Sequence, residues 1–169
     1  MKSETKTILA IAPGKQLFGV AVFDGIELTY FAIRSLKNRK SGKLLKVEIA
    51  ELIQELITRF TPSTIAIKAI SQYQKISLAI EPITKIIRRE VDERHIPKME
   101  ISLAEIRSAL CKEEDRQTQK QAFINLAVLY PELKRFLDHP SRWQKEYYRK
   151  LFAAVSVGVV CLKSCSKSK

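Results

Sequence analysis

The sequence predicts an α/β fold with one five-stranded mixed sheet, in which three antiparallel strands precede two parallel ones and helices flank the sheet. Three observations carry this prediction. Short apolar runs rich in β-branched residues open the chain and are separated only by turn signals. Longer segments with apolar residues at helical spacing then alternate with two further short runs. The remaining chain is helical in pattern and can cover the sheet, which gives a layered domain.

The first three strands are predicted to form an antiparallel meander over residues 7–12, 17–23 and 26–33. Pro13-Gly14 separates the first two strands, because proline presets φ for a turn and glycine tolerates backbone angles that other residues resist. Asp24-Gly25 predicts a two-residue hairpin turn before the third strand, since both turn positions favour residues that accept positive φ.

A crossover helix and two parallel strands follow the meander. The helix is predicted over 44–60 and ends at Thr61-Pro62, because the residue before proline avoids helical angles. A β-rich run over 64–68 comes next, so the helix connects two parallel strands. A second amphipathic helix over 76–94 leads to the last strand, over 98–101.

Two capping boxes mark helix starts in the last third of the chain. Ser102-Leu-Ala-Glu105 opens a helix that ends near Cys111, and Ser141-Arg-Trp-Gln144 opens the last helix. The other helices of this part are predicted over 115–129 and 131–136, and the last one over 142–162. We expect one domain over 1–162 and a disordered Ser/Lys tail over 163–169.

The charge balance of the chain indicates an anionic partner. Its 169 residues are 46% apolar, which suits one globular domain with a full core. Thirty Lys and Arg against 18 Asp and Glu give a net charge of +12, with a pI near 9.7. Such an excess favours nucleic acid as the partner, ahead of an anionic membrane. A basic but inert surface is the alternative.

Cysteine and histidine usage excludes two classes of protein. The three cysteines, Cys111, Cys161 and Cys165, do not suit a secreted disulfide scaffold. Only His95 and His139 could complete a zinc site, and neither lies near the cysteine pair in sequence. We therefore expect Cys161 to be a small core residue and Cys111 to have a buried structural role.

No segment predicts a signal peptide or a membrane span. The first six residues are polar, and the longest apolar run, 151–162, is shorter than the ~20 residues that a spanning helix needs. A cytoplasmic protein with no membrane partner is the expectation.

Three motifs in this order resemble those of the ribonuclease H-like superfamily, and within it the RuvC-type Holliday-junction resolvases. Ile8-Leu-Ala-Ile-Ala-Pro-Gly14 resembles the first-strand motif, with alanine where the family has aspartate. Ile65-Ala-Ile-Lys68 resembles the fourth-strand motif, which in the family ends on glutamate. Leu151-Phe-Ala-Ala-Val-Ser-Val-Gly158 resembles the last-helix motif, whose aspartate falls on Ala153, and a further family acid falls on Lys150. The similarity covers nearly the whole chain and implies a ribonuclease H-like three-layer fold.

The resemblance implies a degenerate member of this family, because its metal-binding acids are missing. Two-metal hydrolysis needs ions about 3.5–4 Å apart, held chiefly by carboxylates. At a distance of ~4 Å and an effective dielectric constant near 20, two unit positive charges repel by ~4 kcal/mol, so each lysine opposes a cation at this place. We therefore expect a pseudo-nuclease with no catalytic residue, metal or other cofactor. The degenerate positions are Ala12, Lys68, Lys150 and Ala153.

Other acids and nucleophiles give a weaker case for catalysis. Asp24 and Glu27 lie at the strand ends opposite Ala12. Glu81, Glu105 and Asp115 lie at helix starts, where an acid complements the helix dipole. His95 and His139 lie in loop-like contexts without a nucleophile elbow. An active metal-dependent endonuclease with relocated acids stays open as the third hypothesis.

Binding of nucleic acid without cleavage is the leading functional prediction, with branched or double-stranded DNA as the expected ligand. Lys68 and Lys150 would contact a backbone phosphate, although drift at an abandoned site explains them equally well. Residues 142–169 carry Glu146 as their only acid, and Arg142, Lys145 and Arg149 form a basic edge of the last helix. We assign the interleaved aromatic residues Trp143, Tyr147 and Phe152 to the core. The basic segment 34–46 is either a second patch or a solvated loop, and Lys15 and Lys120 are assigned to the interface by the resemblance alone.

A protein-interaction role is the second hypothesis. The nuclease fold would then serve as a scaffold for a partner or for self-association. The resemblance implies a possible homodimer, and the second helix offers an apolar face for it, formed by Leu78, Ile80, Ile83 and Ile87.

Overall fold

A computed structural model describes residues 5–37, 42–70, 75–112, 117–137 and 142–167 of the chain. Five strands form one mixed sheet in the order β3-β2-β1-β4-β5. The pairs β1–β2 and β2–β3 are antiparallel, whereas β1–β4 and β4–β5 are parallel, as predicted. The strands are β1 (Thr7–Ala12), β2 (Leu17–Asp24), β3 (Glu27–Ser35), β4 (Thr64–Lys68) and β5 (Lys98–Ile101).

Five α-helices and one 3₁₀ helix cover the two faces of this sheet in the described part of the chain. They are α1 (Gly42–Phe60), α2 (Lys75–Glu93), α3 (Leu103–Leu110), α4 (Gln119–Leu129), the 3₁₀ helix Pro131–Phe136, and α5 (Arg142–Lys167). None of the helices in the described ranges combines the length and the apolar character that a bilayer crossing requires.

Alternation along β1 divides the core into two layers. Leu9 and Ile11 pack with buried residues of α1 and α2 on one face. Ile8, Ala10 and Ala12 pack with α3, α4 and α5 on the other face. Because successive side chains of a strand point to opposite faces, a strand that is buried on both faces must be apolar throughout, and β1 is apolar from Ile8 to Ala12. The result is the predicted three-layer, ribonuclease H-like arrangement.

The first hairpin turn lies one residue later than predicted. Strand β2 continues to Asp24, which pairs with Glu27, so the two turn residues are Gly25 and Ile26. Gly25 has φ +60°, whereas Ile26 has no positive φ and is 81% exposed. A turn with glycine first needs positive φ at that position alone, which explains why isoleucine is accepted at the second.

Two helix boundaries differ from the prediction by four residues or more. Helix α4 begins at Gln119 rather than at 115, because Thr118 accepts a hydrogen bond from the backbone N–H of Gln121 and thereby caps the helix. Helix α5 continues past the predicted end at Leu162 to Lys167, where we expected a disordered tail from Lys163. Lys163 donates to the carbonyl oxygen of Ala109 at 2.7 Å, which holds the extension against α3.

Two of the four residues predicted to form a dimer face on α2 are buried in the core of the chain. Ile83 is 2% exposed and Ile87 is fully buried, and both pack with Ile49, Ile53 and Leu56 of α1. Ile80 is half-buried, and the side chain of Leu78 lies outside the described part of the structure. Ile83 and Ile87 are therefore unavailable to a second copy, which corrects the assignment of this face to self-association.

Smaller predictions about local structure are confirmed. Ser102 and Glu105 form the capping box of α3, with reciprocal hydrogen bonds of 2.7 and 3.2 Å. Cys111 and Cys161 are buried, and none of the three cysteines forms a disulfide. Burial, together with neighbouring Cys165, raises the pKa of Cys161 to about 12, so its thiol is protonated at neutral pH.

Candidate nucleic-acid interface

Two glycines allow α5 to lie unusually close to β2. A Cβ atom on Gly19 would lie 1.8 Å from the carbonyl oxygen of Lys150, and one on Gly158 would lie 2.1 Å from the ring of Phe23. Real atoms never approach so closely, so only glycine fits at either position. The close approach fixes where Lys150 emerges from the helix relative to the sheet.

The four positions that the resemblance assigns to acids meet at one end of the sheet. Ala12 ends β1 and Lys68 ends β4, and the parallel register that pairs Ile11 with Ile67 brings these two ends together. Ala12 and Ala153 are both buried in the same apolar cluster. Lys150 precedes this part of α5 and reaches over the turn after β1, where its Nζ donates to the carbonyl oxygen of Pro13 at 3.4 Å.

Close approach, rather than backbone angle, explains the glycine of this turn. Gly14 has no positive φ, which corrects the reason that we inferred from the sequence. A Cβ atom there would lie 2.5 Å from the carbonyl oxygen of Leu17 and 2.7 Å from Cε of Lys150. Gly14 therefore leaves the space in which the Lys150 side chain lies.

The site is electropositive and partly shielded from water. Burial, together with the charges of Lys150 and Arg149, lowers the pKa of Lys68 to about 8. Burial and the charge of Arg149 likewise lower the pKa of Lys150. Three cationic side chains thus act on one another at the end of β4, and an anion bound between them would relieve their repulsion.

The side chains at this place do not fit a pair of divalent metal ions. Magnesium and manganese require oxygen ligands, mainly carboxylates. Ala12 and Ala153 have no ligating atom, and Lys68 and Lys150 repel cations. In the ranges that the structure describes, no group of three or more His, Cys, Asp or Glu side chains could hold a metal ion.

The acids considered as substitutes lie elsewhere. Asp24 is opposite Thr7 at the far end of β1, because Ala12 is opposite Gly19, and Glu27 pairs with Asp24. Glu105 caps α3, and Glu81 lies on α2 at 4.0 Å from Lys85. Asp115 lies outside the described residues.

The two histidines give no sign of a catalytic arrangement among the described side chains. His95 is exposed in the turn after α2, has φ +54° and donates its backbone N–H to the carbonyl oxygen of Asp92. His139 lies outside the described residues.

A groove lies beside the cationic site, between α4, the 3₁₀ helix and α5. Its volume is about 720 Å³, which is typical of ligand-sized clefts. Lys120, Lys145 and Arg149, three of the predicted interface residues, line it. Its aromatic lining residues, Phe123, Phe136, Tyr148 and Phe152, come from three separate elements. Sequence reasoning missed the groove, because these aromatic residues share no motif and meet only through the packing of the helices.

The remaining predicted interface residues differ in their surroundings. Lys15 is exposed in the turn after β1, next to the Gly14 that contacts Lys150. The Arg142 side chain and the Ser141 capping box lie outside the described part. Phe152 is buried and Tyr147 is half-buried, in agreement with a core role, whereas the Trp143 side chain is not described.

Arg34 does not belong to a basic patch, although it opens the basic segment 34–46. Its guanidinium donates two hydrogen bonds to the carboxylate of Glu55, of 3.0 and 2.7 Å. This pairing raises the pKa of Arg34 and lowers that of Glu55. Its charge is thus neutralised between β3 and α1, and residues 38–41 lie outside the description.

Solved structures resemble this fold over almost its whole length. RuvC of T. thermophilus, solved in complex with a Holliday junction substrate, superposes with a TM-score of 0.69 at 14% sequence identity, over 95% of this chain and 96% of that one. The chain has a RuvC-like fold. The yeast mitochondrial Holliday junction resolvase Ydc2 gives a TM-score of 0.65 at 11% identity, over 96% of this chain and 81% of that one. The fowlpox virus Holliday junction resolvase gives 0.58 at 10% identity, over 94% of this chain and 99% of that one.

The RuvC-like fold is thus established by shape rather than by sequence. No protein-family model matches the sequence, and no curated protein matches it either. At such low identity the likeness shows the fold alone. The chemistry of the site depends on this chain's own side chains.

Proposed function

We propose that this RuvC-like protein binds branched or double-stranded DNA through its sugar–phosphate backbone and does not cleave it. The observation that carries the proposal is the position of Lys68 and Lys150 at the shared end of β1 and β4. Both lysines are partly buried, and both have lowered pKa values. Solved proteins of the same fold include a resolvase in complex with a Holliday junction.

A phosphate is the ligand that this electrostatic arrangement favours. Holding Lys68 charged beside Lys150 and Arg149 is unfavourable in the free protein, because the three charges repel one another and water is partly excluded. A bound phosphate group replaces repulsion with attraction and accepts hydrogen bonds from the lysine ammonium groups. The three positive charges already lie close together in the free protein, so their attraction for a phosphate favours binding at this place.

Cleavage by the two-metal route is incompatible with the same arrangement. That route requires ions that clamp both the attacking and the leaving oxygen of the phosphodiester. Lys68 and Lys150 stand where the resemblance places carboxylate ligands, and each opposes a divalent ion. The protein holds the phosphate without the groups that would activate water against it.

A labelled four-way junction tests the proposal in one titration series. The wild type is expected to bind the junction with an affinity that falls steeply with salt, and to leave both strands intact in Mg²⁺ or Mn²⁺ on a denaturing gel. Lys68→Met should weaken binding, whereas Lys85→Met removes the same charge from an exposed position on α2 and should change binding little. Equal affinity of the wild type and Lys68→Met would favour drift at this position, and metal-dependent strand scission would refute the pseudo-nuclease.

Docking of another protein is the second candidate function, and exposed apolar side chains on α4 favour it. Val128 is 75% exposed and Leu129 is 55% exposed, with Ile124 beside them on the same helix. Apolar side chains of neighbouring turns on a solvent face suit a protein contact. Such binding would respond weakly to salt, which distinguishes it from phosphate contacts in the same titrations.

A further inference from the structure

We infer that the groove between α4, the 3₁₀ helix and α5 binds unpaired bases of a nucleic-acid strand. This inference rests on the proposed function, since it names which part of the DNA the protein distinguishes. It assigns a ligand class to the groove: single-stranded or splayed nucleotides, stacked on aromatic rings, with their phosphates at the cationic rim.

Four aromatic side chains line the groove, and they are packed in two pairs. Phe123 is half-buried and stacks on the buried ring of Phe152, with ring centroids 5.1 Å apart and an interplanar angle of 24°. Phe136 packs against Tyr148 at 4.9 Å. In each pair one ring supports the other, and all four rings line the groove. Rings that are fixed by such packing form the kind of platform on which bases stack in single-strand-binding proteins.

The rim supplies charge of the sign that a nucleotide strand requires. Lys120 from the first turn of α4 and Lys145 and Arg149 from α5 line the groove, and all three are exposed. A purely apolar helix or peptide would gain nothing from three cations around an aromatic groove. A strand carries phosphates and aromatic bases at regular intervals, so it matches both parts of the lining.

Arg149 connects the groove to the phosphate site. It lines the groove, and its charge also lowers the pKa values of Lys68 and Lys150. One continuous strand could therefore place a phosphate at the two lysines and its next bases in the groove. Duplex DNA keeps its bases stacked inside the helix, so the groove favours strands that are already unpaired, such as those at a branch point.

Two ligands of equal length separate base contacts from phosphate contacts. The first is an oligothymidylate of about ten nucleotides, and the second is the same strand built from abasic residues, which keeps every phosphate. The wild type is expected to bind the oligothymidylate about five-fold or more tightly than the abasic strand, because stacking of one base contributes about that factor.

Matched substitutions test whether the bases of the oligothymidylate bind in the groove. Phe123→Leu removes an aromatic ring but keeps apolar volume, and Phe60→Leu makes the same change at a half-buried ring on the other face of the sheet. Phe123→Leu should lower affinity for the oligothymidylate about five-fold and leave the abasic strand unaffected. Phe60→Leu should leave both affinities unchanged. Thermal unfolding of each variant confirms that it is folded.

The outcomes distinguish this inference from the proposed function. If Phe123→Leu binds both strands as the wild type does while Lys68→Met weakens both, the groove takes no bases but the phosphate site stands. If the wild type binds neither strand nor a junction, both proposals are refuted. If an apolar helical peptide binds the groove and oligothymidylate does not compete, the groove is a protein-docking site and the inference is wrong.

Discussion

The ammonium group of Lys150 lies 3.4 Å from the carbonyl oxygen of Pro13, so a side chain of the last helix is tied to the turn that follows the first strand. This single contact joins the beginning and the end of the chain at the sheet end where Ala12 and Lys68 meet. It also places a cation at the residue that follows Ala12, a position that the resemblance assigns to a metal ligand.

Replacement of Lys68 by methionine should stabilise the protein while it weakens DNA binding. The side chain keeps its length, and the variant loses a charge whose burial and repulsion lower its pKa from 10.5 to about 8. The gain in the free energy of unfolding near pH 7 should be on the order of 1–3 kcal/mol. Urea unfolding of the wild type and the variant measures it, and a variant of lower stability would show that Lys68 has a favourable partner.

The stability difference should also depend on pH in a defined direction. Between pH 8 and 10.5 the unfolded state binds more protons than the folded state, because the pKa of Lys68 is lower in the folded protein. Wild-type stability should therefore gain a rising contribution over that interval. The advantage of Lys68→Met should be largest below pH 8 and shrink above it. A constant advantage across this range would contradict the shifted pKa.

DNA affinity should fall as the pH rises through about 8. In the proposed function the protonated form of Lys68 binds phosphate, and one pH unit above its pKa only about a tenth of the free protein carries that charge. Lys68→Arg keeps a positive charge throughout and should remove most of the dependence between pH 7 and about pH 9. Fluorescence anisotropy at constant ionic strength measures the affinity. A parallel decline in the arginine variant would assign the titration to another group.

Gly19→Ala should destabilise the fold and displace α5. The added methyl group would lie 1.8 Å from the carbonyl oxygen of Lys150, which is backbone and cannot move without the helix. We expect a loss of about 1–3 kcal/mol or more in the free energy of unfolding. Gly42→Ala is the control, because a methyl group there has nothing within 4 Å. Equal stability of both variants would show that α5 packs differently.

Ile87→Ala should lower stability without changing the oligomeric state. Its side chain is fully buried between α2 and α1, and removal of such a side chain costs about 2–5 kcal/mol. Sedimentation at several protein concentrations should give the same state for the variant and the wild type. Loss of a dimer in the folded variant would restore α2 as an interface.

The sequence was sufficient to predict the sheet, because strand alternation and turn residues are local signals. Strands β1, β4 and β5 have the predicted bounds, and the crossover helix follows from its apolar face and Thr61-Pro62. The hairpin turn was misplaced by one residue since Asp24 and Gly25 both suit turns, and only the pairing of Asp24 with Glu27 decides between the two registers.

Features that depend on packing between distant elements were beyond sequence reasoning. The roles of Gly14 and Gly19 depend on where Lys150 lies, more than a hundred residues further along the chain. The groove likewise requires Phe123 to contact Phe152 and Phe136 to contact Tyr148, and no spacing in the sequence predicts these contacts. Helix α5 extends beyond its apolar run because Lys163 finds a carbonyl oxygen on α3, a partner that composition cannot reveal.

The salt dependence of DNA affinity tests the central claim most directly. The affinity of the wild type and of Lys68→Met/Lys150→Met for one labelled junction is measured over a series of salt concentrations. If the two lysines hold phosphate, the slope of log affinity against log salt should become shallower by about one to two in the double variant. An unchanged slope in a folded double variant would contradict the claim that phosphate binds at the end of β1 and β4.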